Sequence, residues 1–185
     1  MLLPIVRFSG PIRLVQDEAE LATARQSIRQ ERVIGFDTET RPTFRKGQIH
    51  SPSLVQIATG KAVYLFQLAK IDCSDAIASV LANAGTAKAG IAIYRDLLEL
   101  TKLFPFIASN VIDLGAVAKK RGYDQTGMRN LAGLLLGHRI TKGAQTSNWA
   151  ASHLTETQLR YAATDAWVCR ELYLRFEALG FLPEE

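Results

Sequence analysis

The segment VIGFDTE, residues 33–39, limits the possible folds more than any other stretch of this chain. Its residues alternate as a strand does, so Val33, Gly35, Asp37 and Glu39 leave one face while Ile34, Phe36 and Thr38 leave the other. One face is apolar, and the other ends in two carboxylates two residues apart. Two like charges side by side on a half-buried strand repel each other, and desolvation adds to that cost unless a cation neutralises them. A hard divalent ion is the natural partner for oxygen ligands. A strand that stopped at Phe36 would instead leave two solvated acids at the entrance of a loop, and the pair alone admits both arrangements.

Around this strand the pattern is that of an α/β domain. Asp17 with Glu20 three residues on has capping-box spacing and opens a helix reaching about Arg29. A basic, proline-containing loop, RPTFRKGQIHSP, leads into two strand-like runs, SLVQIAT and AVYLF. Gly60-Lys61 is the turn between them, which predicts a hairpin beside the first strand. A helix from about Ser74 to Asn83 precedes a small-residue strand, AKAGIAI, then a helix from about Asp96 to Phe104 and a short strand at NVIDL. The remainder is helical: GAVAKKRG, MRNLAGLLLG, a loop KGAQTSNW, and a long helix from about Glu156 to Leu179, capped by Thr155 and Gln158. An early antiparallel meander, later strands alternating with helices and a helical C-terminal third describe a mixed sheet flanked by helices. At 185 residues without repeat or linker, residues 1–185 are expected to form one domain.

Composition narrows the function. Hydrophobic residues make up 48% of the chain and charged residues 22%, enough to bury a core, and no stretch approaches the roughly 18 apolar residues of a membrane span. The opening MLLPIVRFSG is too short and too interrupted to be a signal-peptide core, so a cytoplasmic protein is expected. Cys73 and Cys169 lack CxxC spacing, which excludes the usual zinc and redox motifs and leaves buried reduced thiols. The net charge of +4 is concentrated: from Gly115 to Gly143 six cations (Lys119, Lys120, Arg121, Arg129, Arg139, Lys142) face one acid, Asp124. Such a run suits either a phosphate-binding flank or a solvated helix surface.

Two more acids join the pair. Tyr161, Asp165, Val168, Cys169, Leu172 and Phe176 fall on one stripe of the last helix, so Asp165 occupies a position where its neighbours are apolar. A metal shared with Asp37 and Glu39 would explain it, and so would a hydrogen bond to backbone or to the tyrosine. Asp96 follows the strand GIAIYR at the start of a predicted helix, where capping alone accounts for an aspartate.

Taken together and in order, GFDTET, GIAIYRDLLEL and YAATDAW resemble the three exonuclease motifs of the DEDD superfamily, in its DEDDy branch. The segment KGAQTSNW is similar to a Lys-x-x-Gln-x-Ser-Asn-Trp element that precedes the last helix in the nuclease domains of ribonuclease D and the Werner syndrome helicase. The resemblance runs from about Arg13 to Phe176. It implies a ribonuclease H-like fold and a 3′-to-5′ exonuclease that releases nucleoside monophosphates from nucleic-acid 3′ ends. It further implies that Asp37, Glu39 and Asp165 hold one divalent metal, that Asp37 also touches a second, and that Asp96 orders the second through water. Tyr161 would position the attacking water. The sister branch places a histidine five residues before the last aspartate, where this chain has Arg160, and His50, His138 and His153 do not fit that position.

The expected cofactors are therefore two divalent ions, Mg²⁺ or Mn²⁺, which suit an all-oxygen ligand set. Lys142 is the expected phosphate contact, and Phe44, Arg45 and Lys46 stand where the terminal nucleotide or a displaced strand would pass, unless that loop is merely solvated. Trp149 is expected to anchor its loop rather than stack on a base. Relatives of the ribonuclease D type favour RNA and Werner-type relatives DNA, so the expected partner is a nucleic-acid 3′ end of either kind. The alternative is a nucleic-acid-binding or scaffold module on the same fold with little turnover. Its signature would be a missing carboxylate, and all four are present with the tyrosine. A nucleotide-binding oxidoreductase is disfavoured because no GxGxxG unit follows a strand.

Overall fold

The computed structural model describes residues 2–182. Its centre is a six-stranded sheet in the order β1-β4-β3-β2-β5-β6, formed by β1 (Ile12–Val15), β2 (Val33–Thr40), β3 (Pro52–Ala58), β4 (Val63–Gln67), β5 (Ala87–Gly90) and β6 (Val111–Asp113). The β2-β3-β4 meander is antiparallel, whereas β1 joins β4, and β5 and β6 extend from β2, in parallel. Among the described residues six α-helices flank it: α1 (Glu18–Ile28), α2 (Ser74–Ala82), α3 (Ile93–Thr101), α4 (Leu114–Lys120), α5 (Met128–Leu131) and α6 (Glu156–Ala178). This is the mixed sheet with a helical C-terminal third that the sequence pattern implies. Among the described residues no helix is long and apolar enough to cross a membrane.

The alternation along β2 decides what lies on each side. Ile34 and Phe36 join a core with Leu21 and Ile28 of α1, Ile77 and Leu81 of α2, and Ile93 and Leu97 of α3. Val33, on the opposite face, joins Val168, Leu172 and Phe176 of α6. Each such buried side chain contributes about 1.5–3 kcal/mol, so α6 is held mainly by its apolar stripe. Gly35 sets how closely α6 can lie: a Cβ there would stand 1.9 Å from the Ala166 carbonyl oxygen. Only a residue without a side chain lets the helix backbone rest on the strand here, at the residue that follows Asp165.

Two expectations change. The strand AKAGIAI ends at Gly90, where the backbone passes so close to Ile93 and to the Phe36 carbonyl oxygen that an added Cβ would stand 2.9 Å from each. Ala92 then takes a left-handed conformation (φ 53°), its N–H donating to Asp113 Oδ1 at 3.3 Å, and α3 starts at Ile93. Asp96 therefore lies inside the helix and is not its cap. The run MRNLAGLLLG is one α turn, α5, followed directly by a π-helical turn, Ala132–Leu136, that ends at the left-handed Gly137. The strand β1 had no counterpart among the expected elements.

Candidate active site

Three elements bring the acids to the carboxyl end of β2. Asp37 and Glu39 project from the strand toward α6, whose capping box at Thr155 and Gln158 fixes the helix start and so the height at which Asp165 arrives. One oxygen from each of Asp37, Glu39 and Asp165 lies within 4.8 Å of the others. Asp96 approaches from the opposite face on α3 and accepts a hydrogen bond from Thr38 Oγ1, so the strand end itself links it to the cluster. It is not one of the three mutually close carboxylates. Tyr161 lies one helical turn before Asp165, and its ring packs at 6.0 Å against Trp149.

The neutralising groups are few. Thr38 N–H donates to Asp37 Oδ1 at 2.9 Å, and Gln56 Nε2 reaches Glu39 Oε1 at 3.4 Å. Asp165 is 4% exposed, and its Oδ1 is buried without a hydrogen-bond partner. Burial, then the neighbouring carboxylates, push Asp37 well above the ordinary aspartate range and Glu39 up to about 10. Burial raises Asp165 to about 7 against the downward pull of the Tyr161 hydroxyl and Arg129. Asp96 is also raised by burial, though its bond from Thr38 opposes this. Tyr161 moves up, first through burial and then through Asp165 and Glu39, so the phenol keeps its proton at neutral pH. Such a set of buried, mutually repelling oxygens is what a hard cation relieves.

One contributor was not singled out from the sequence. Arg129 of α5 donates from Nη2 to the Tyr161 hydroxyl at 3.0 Å. In the sequence it is only one of six cations in a basic run, and nothing periodic marks it.

The expected nucleic-acid contacts lie at the surface. Arg45 and Lys46 are exposed on the loop after β2, beside Phe44, which is 87% exposed, and their side chains reach no partner among the described residues. Lys142 is exposed on the loop before α6 and is likewise free. None of the three touches the carboxylates. Trp149 is fully buried, which makes it an anchor of its loop. A cavity of about 410 Å³ opens beside Tyr161 and Asp165, between the N-terminal segment at Arg7, the loop at Thr141 and the start of α6 at Arg160.

A family model described as "3'-5' exonuclease" matches residues 12–179. The mouse bifunctional 3'-5' exonuclease/ATP-dependent helicase WRN is 27% identical over 188 residues, covering 96% of this chain and 13% of that protein. Ribonuclease D of Haemophilus influenzae is 29% identical over 164 residues, covering 87% of this chain and 40% of that protein. The chain thus spans well under half of these relatives. Among solved structures, the Aedes aegypti Nibbler EXO domain superposes with a TM-score of 0.84 at 25% identity, covering 94% of this chain and 91% of that one. Escherichia coli RNase D gives 0.80 at 24% identity, covering 93% and 47%, which supports the fold.

Proposed function

The chain belongs to the 3′-5′ exonuclease family, and from that premise we propose that it hydrolyses phosphodiester bonds at nucleic-acid 3′ ends in the cytosol, releasing nucleoside monophosphates. The observation that carries this is the convergence of Asp37, Glu39 and Asp165 within 4.8 Å, with Asp165 Oδ1 buried and unpartnered. These residues fit a divalent ion: all donors are hard oxygens, and the described residues offer no Cys or His to the cluster. Asp37, Glu39 and Asp165 would hold Mg²⁺ or Mn²⁺, and Asp96, one hydrogen bond away through Thr38, would serve a second ion by way of water. A pair of such ions supplies charge neutralisation at the scissile phosphate and a readily deprotonated water.

The chain's own groups supply position. Tyr161 stays protonated, so it orients water by hydrogen bonding and does not act as the base. Gln56 holds Glu39, and Thr38 holds Asp96. The loop of residues 41–51 contains Arg41, Arg45 and Lys46 and no acid, and it is rooted beside Glu39, so it flanks the path of a strand whose last phosphate lies at the carboxylates. Lys142 would meet phosphate from the α6 side.

A 5′-end-labelled panel of single-stranded DNA, duplex DNA with 3′ overhangs and RNA, each with Mg²⁺, Mn²⁺ or chelator, tests this. Expected is stepwise shortening from the 3′ end with metal only, releasing mononucleotides. No shortening of any substrate with either metal, or equal shortening by Asp165→Asn, would refute it.

A further inference from the structure

Arg129 is half-buried, yet it pairs with no carboxylate among the described residues. Its one side-chain hydrogen bond runs from Nη2 to the phenol oxygen of Tyr161, at 3.0 Å, and its Nε is buried without a partner. The charge of Arg129 also favours the ionised forms of Asp37 and Asp165, so the guanidinium is held by the field of those carboxylates and directed by one hydrogen bond, the one to the Tyr161 hydroxyl. The backbone is shaped to present it: α5 is a single turn, and the π-helical turn begins at the very next residue after Leu131.

A phenol oxygen has one proton to donate and two lone pairs to accept with. The electrostatic interaction between the Tyr161 hydroxyl and the Asp165 carboxylate one turn on directs the proton toward that carboxylate. Arg129 occupies one lone pair, leaving a single acceptor position on the site side of the ring. We infer that Arg129 is a positioning residue: by occupying one face of the Tyr161 oxygen it fixes the hydroxyl, so that its remaining lone pair accepts one hydrogen from the attacking water. The inference rests on the exonuclease function proposed above. It assigns Arg129 no contact with substrate, which separates it from a phosphate-binding arginine.

Removing the guanidinium while keeping the apolar stem, as in Arg129→Met, should lower kcat about tenfold, the worth of one hydrogen bond, with KM nearly unchanged. Arg129→Lys, which can still donate one bond, should recover part of the loss. In a Tyr161→Phe background, which has no oxygen to hold, Arg129→Met should cause no further fall. Affinity for a fluorescein-labelled single strand, read by anisotropy with Ca²⁺, should stay within a factor of two. A Cζ-¹³C-tyrosine spectrum, with the Tyr161 signal assigned by its loss in Tyr161→Phe, should show that signal displaced in Arg129→Met and partly restored in Arg129→Lys. Additive losses in the double variant, or binding weakened in proportion to kcat/KM, would overturn the inference and mark Arg129 as a fold or phosphate residue. If the wild type releases no mononucleotide, the proposed function fails by itself, and the tyrosine signal still decides the contact: an undisplaced signal in Arg129→Met overturns it.

Discussion

The two ends of β2 handle buried charge in opposite ways. At the amino end Glu31, Arg32 and Lys88 each have partners. Glu31 accepts from Gly60 N–H at 3.1 Å and Arg170 Nη2 at 3.4 Å, Arg32 grips Glu177 with two bonds of 2.7 Å, and the fully buried Lys88 donates from Nζ to the carbonyls of Asn83 and Thr86 at 2.6 and 2.7 Å. At the carboxyl end, about five residues along the same strand, three carboxylates lie within 4.8 Å of one another and Asp96 approaches from the other face, with no ion pair to any of them among the described residues. The helix α6 passes both ends: at the amino end Glu31, Arg170 and Lys88 are largely buried and Arg32 and Glu177 are exposed, and at the carboxyl end the buried carboxylates face one another. The chain pairs its charges where they only support the fold. At the carboxyl end Asp37, Glu39 and Asp96 have only neutral donors and Asp165 Oδ1 has none among the described residues, so an external cation would complete the set, since an unneutralised buried carboxylate costs stability.

The largest effect separating the two ends should come from Asp165→Asn. Metal-based stabilisation of developing charge is worth several kcal/mol, so cleavage of a labelled strand should fall about a thousandfold or more, while circular dichroism stays native. Retained cleavage would mean the unpaired end is no different in kind from the paired one. Lys88→Met should do the reverse. It leaves the carbonyls of Asn83 and Thr86 without their donor, at a cost of about 2 kcal/mol, which lowers the melting temperature by about 6 °C with cleavage per folded molecule unchanged. A Lys88→Met protein that melts like the wild type would remove the contrast from the other side.

Much of the unpaired end was legible in the sequence because it is local. Period-two alternation placed Asp37 and Glu39 on one face, the Thr155–Gln158 spacing located the start of α6, and a 3.6-residue stripe placed Asp165 among apolar neighbours. Gly35 stood on the same face, and a glycine inside a strand is a signal of close backbone approach, here that of α6. What escaped depends on pairing at a distance. The four residues of β1 are a strand only because β4 offers them a parallel edge about 50 residues later. The left-handed turn at Ala92, whose N–H reaches Asp113 Oδ1 at the end of β6, sets the start of α3 and with it the place of Asp96, and could not be read from propensity. Arg129 meets Tyr161 through packing of α5 on α6, which no spacing encodes.

Stability against pH should show the contrast without any substrate. Burial raises Asp165 from its ordinary 3.8 to about 7, so between those values the folded protein binds more protons than the unfolded chain. Stability then falls as pH rises through that window. In chelator the melting temperature should decline from pH 5 to pH 8, and Asp165→Asn should flatten the slope. Manganese should restore the loss most at pH 8, where the ligands are most readily deprotonated, by a few degrees at a hundredfold excess over its dissociation constant. A chelated protein whose melting temperature does not decline over this range, and whose slope matches the variant's, would place these acids in solvent, like ordinary surface carboxylates.

Asp96→Asn should give the smallest change and the most specific one. Asp96 is separated from the three close carboxylates by Thr38, whose hydroxyl donates to Asp96 Oδ1, and an asparagine oxygen can accept the same bond. The substitution thus preserves shape and removes one charge. That charge raises both Asp37 and Glu39, so its loss should ease them toward ionisation and relieve repulsion in the metal-free protein. The variant in chelator at pH 8 should melt about 1–2 °C above wild type, a gain of about half a kcal/mol. Its added stability on Mn²⁺ should shrink, because one ligand charge is gone, and turnover should fall by less than in Asp165→Asn. Melting curves of the two proteins with chelator and with Mn²⁺, run beside a cleavage assay, give all three quantities. A chelated melt at or below that of the wild type would show that Asp96 is held by Thr38 for the sake of the fold, and would move it to the paired class of charges at the other end of the strand.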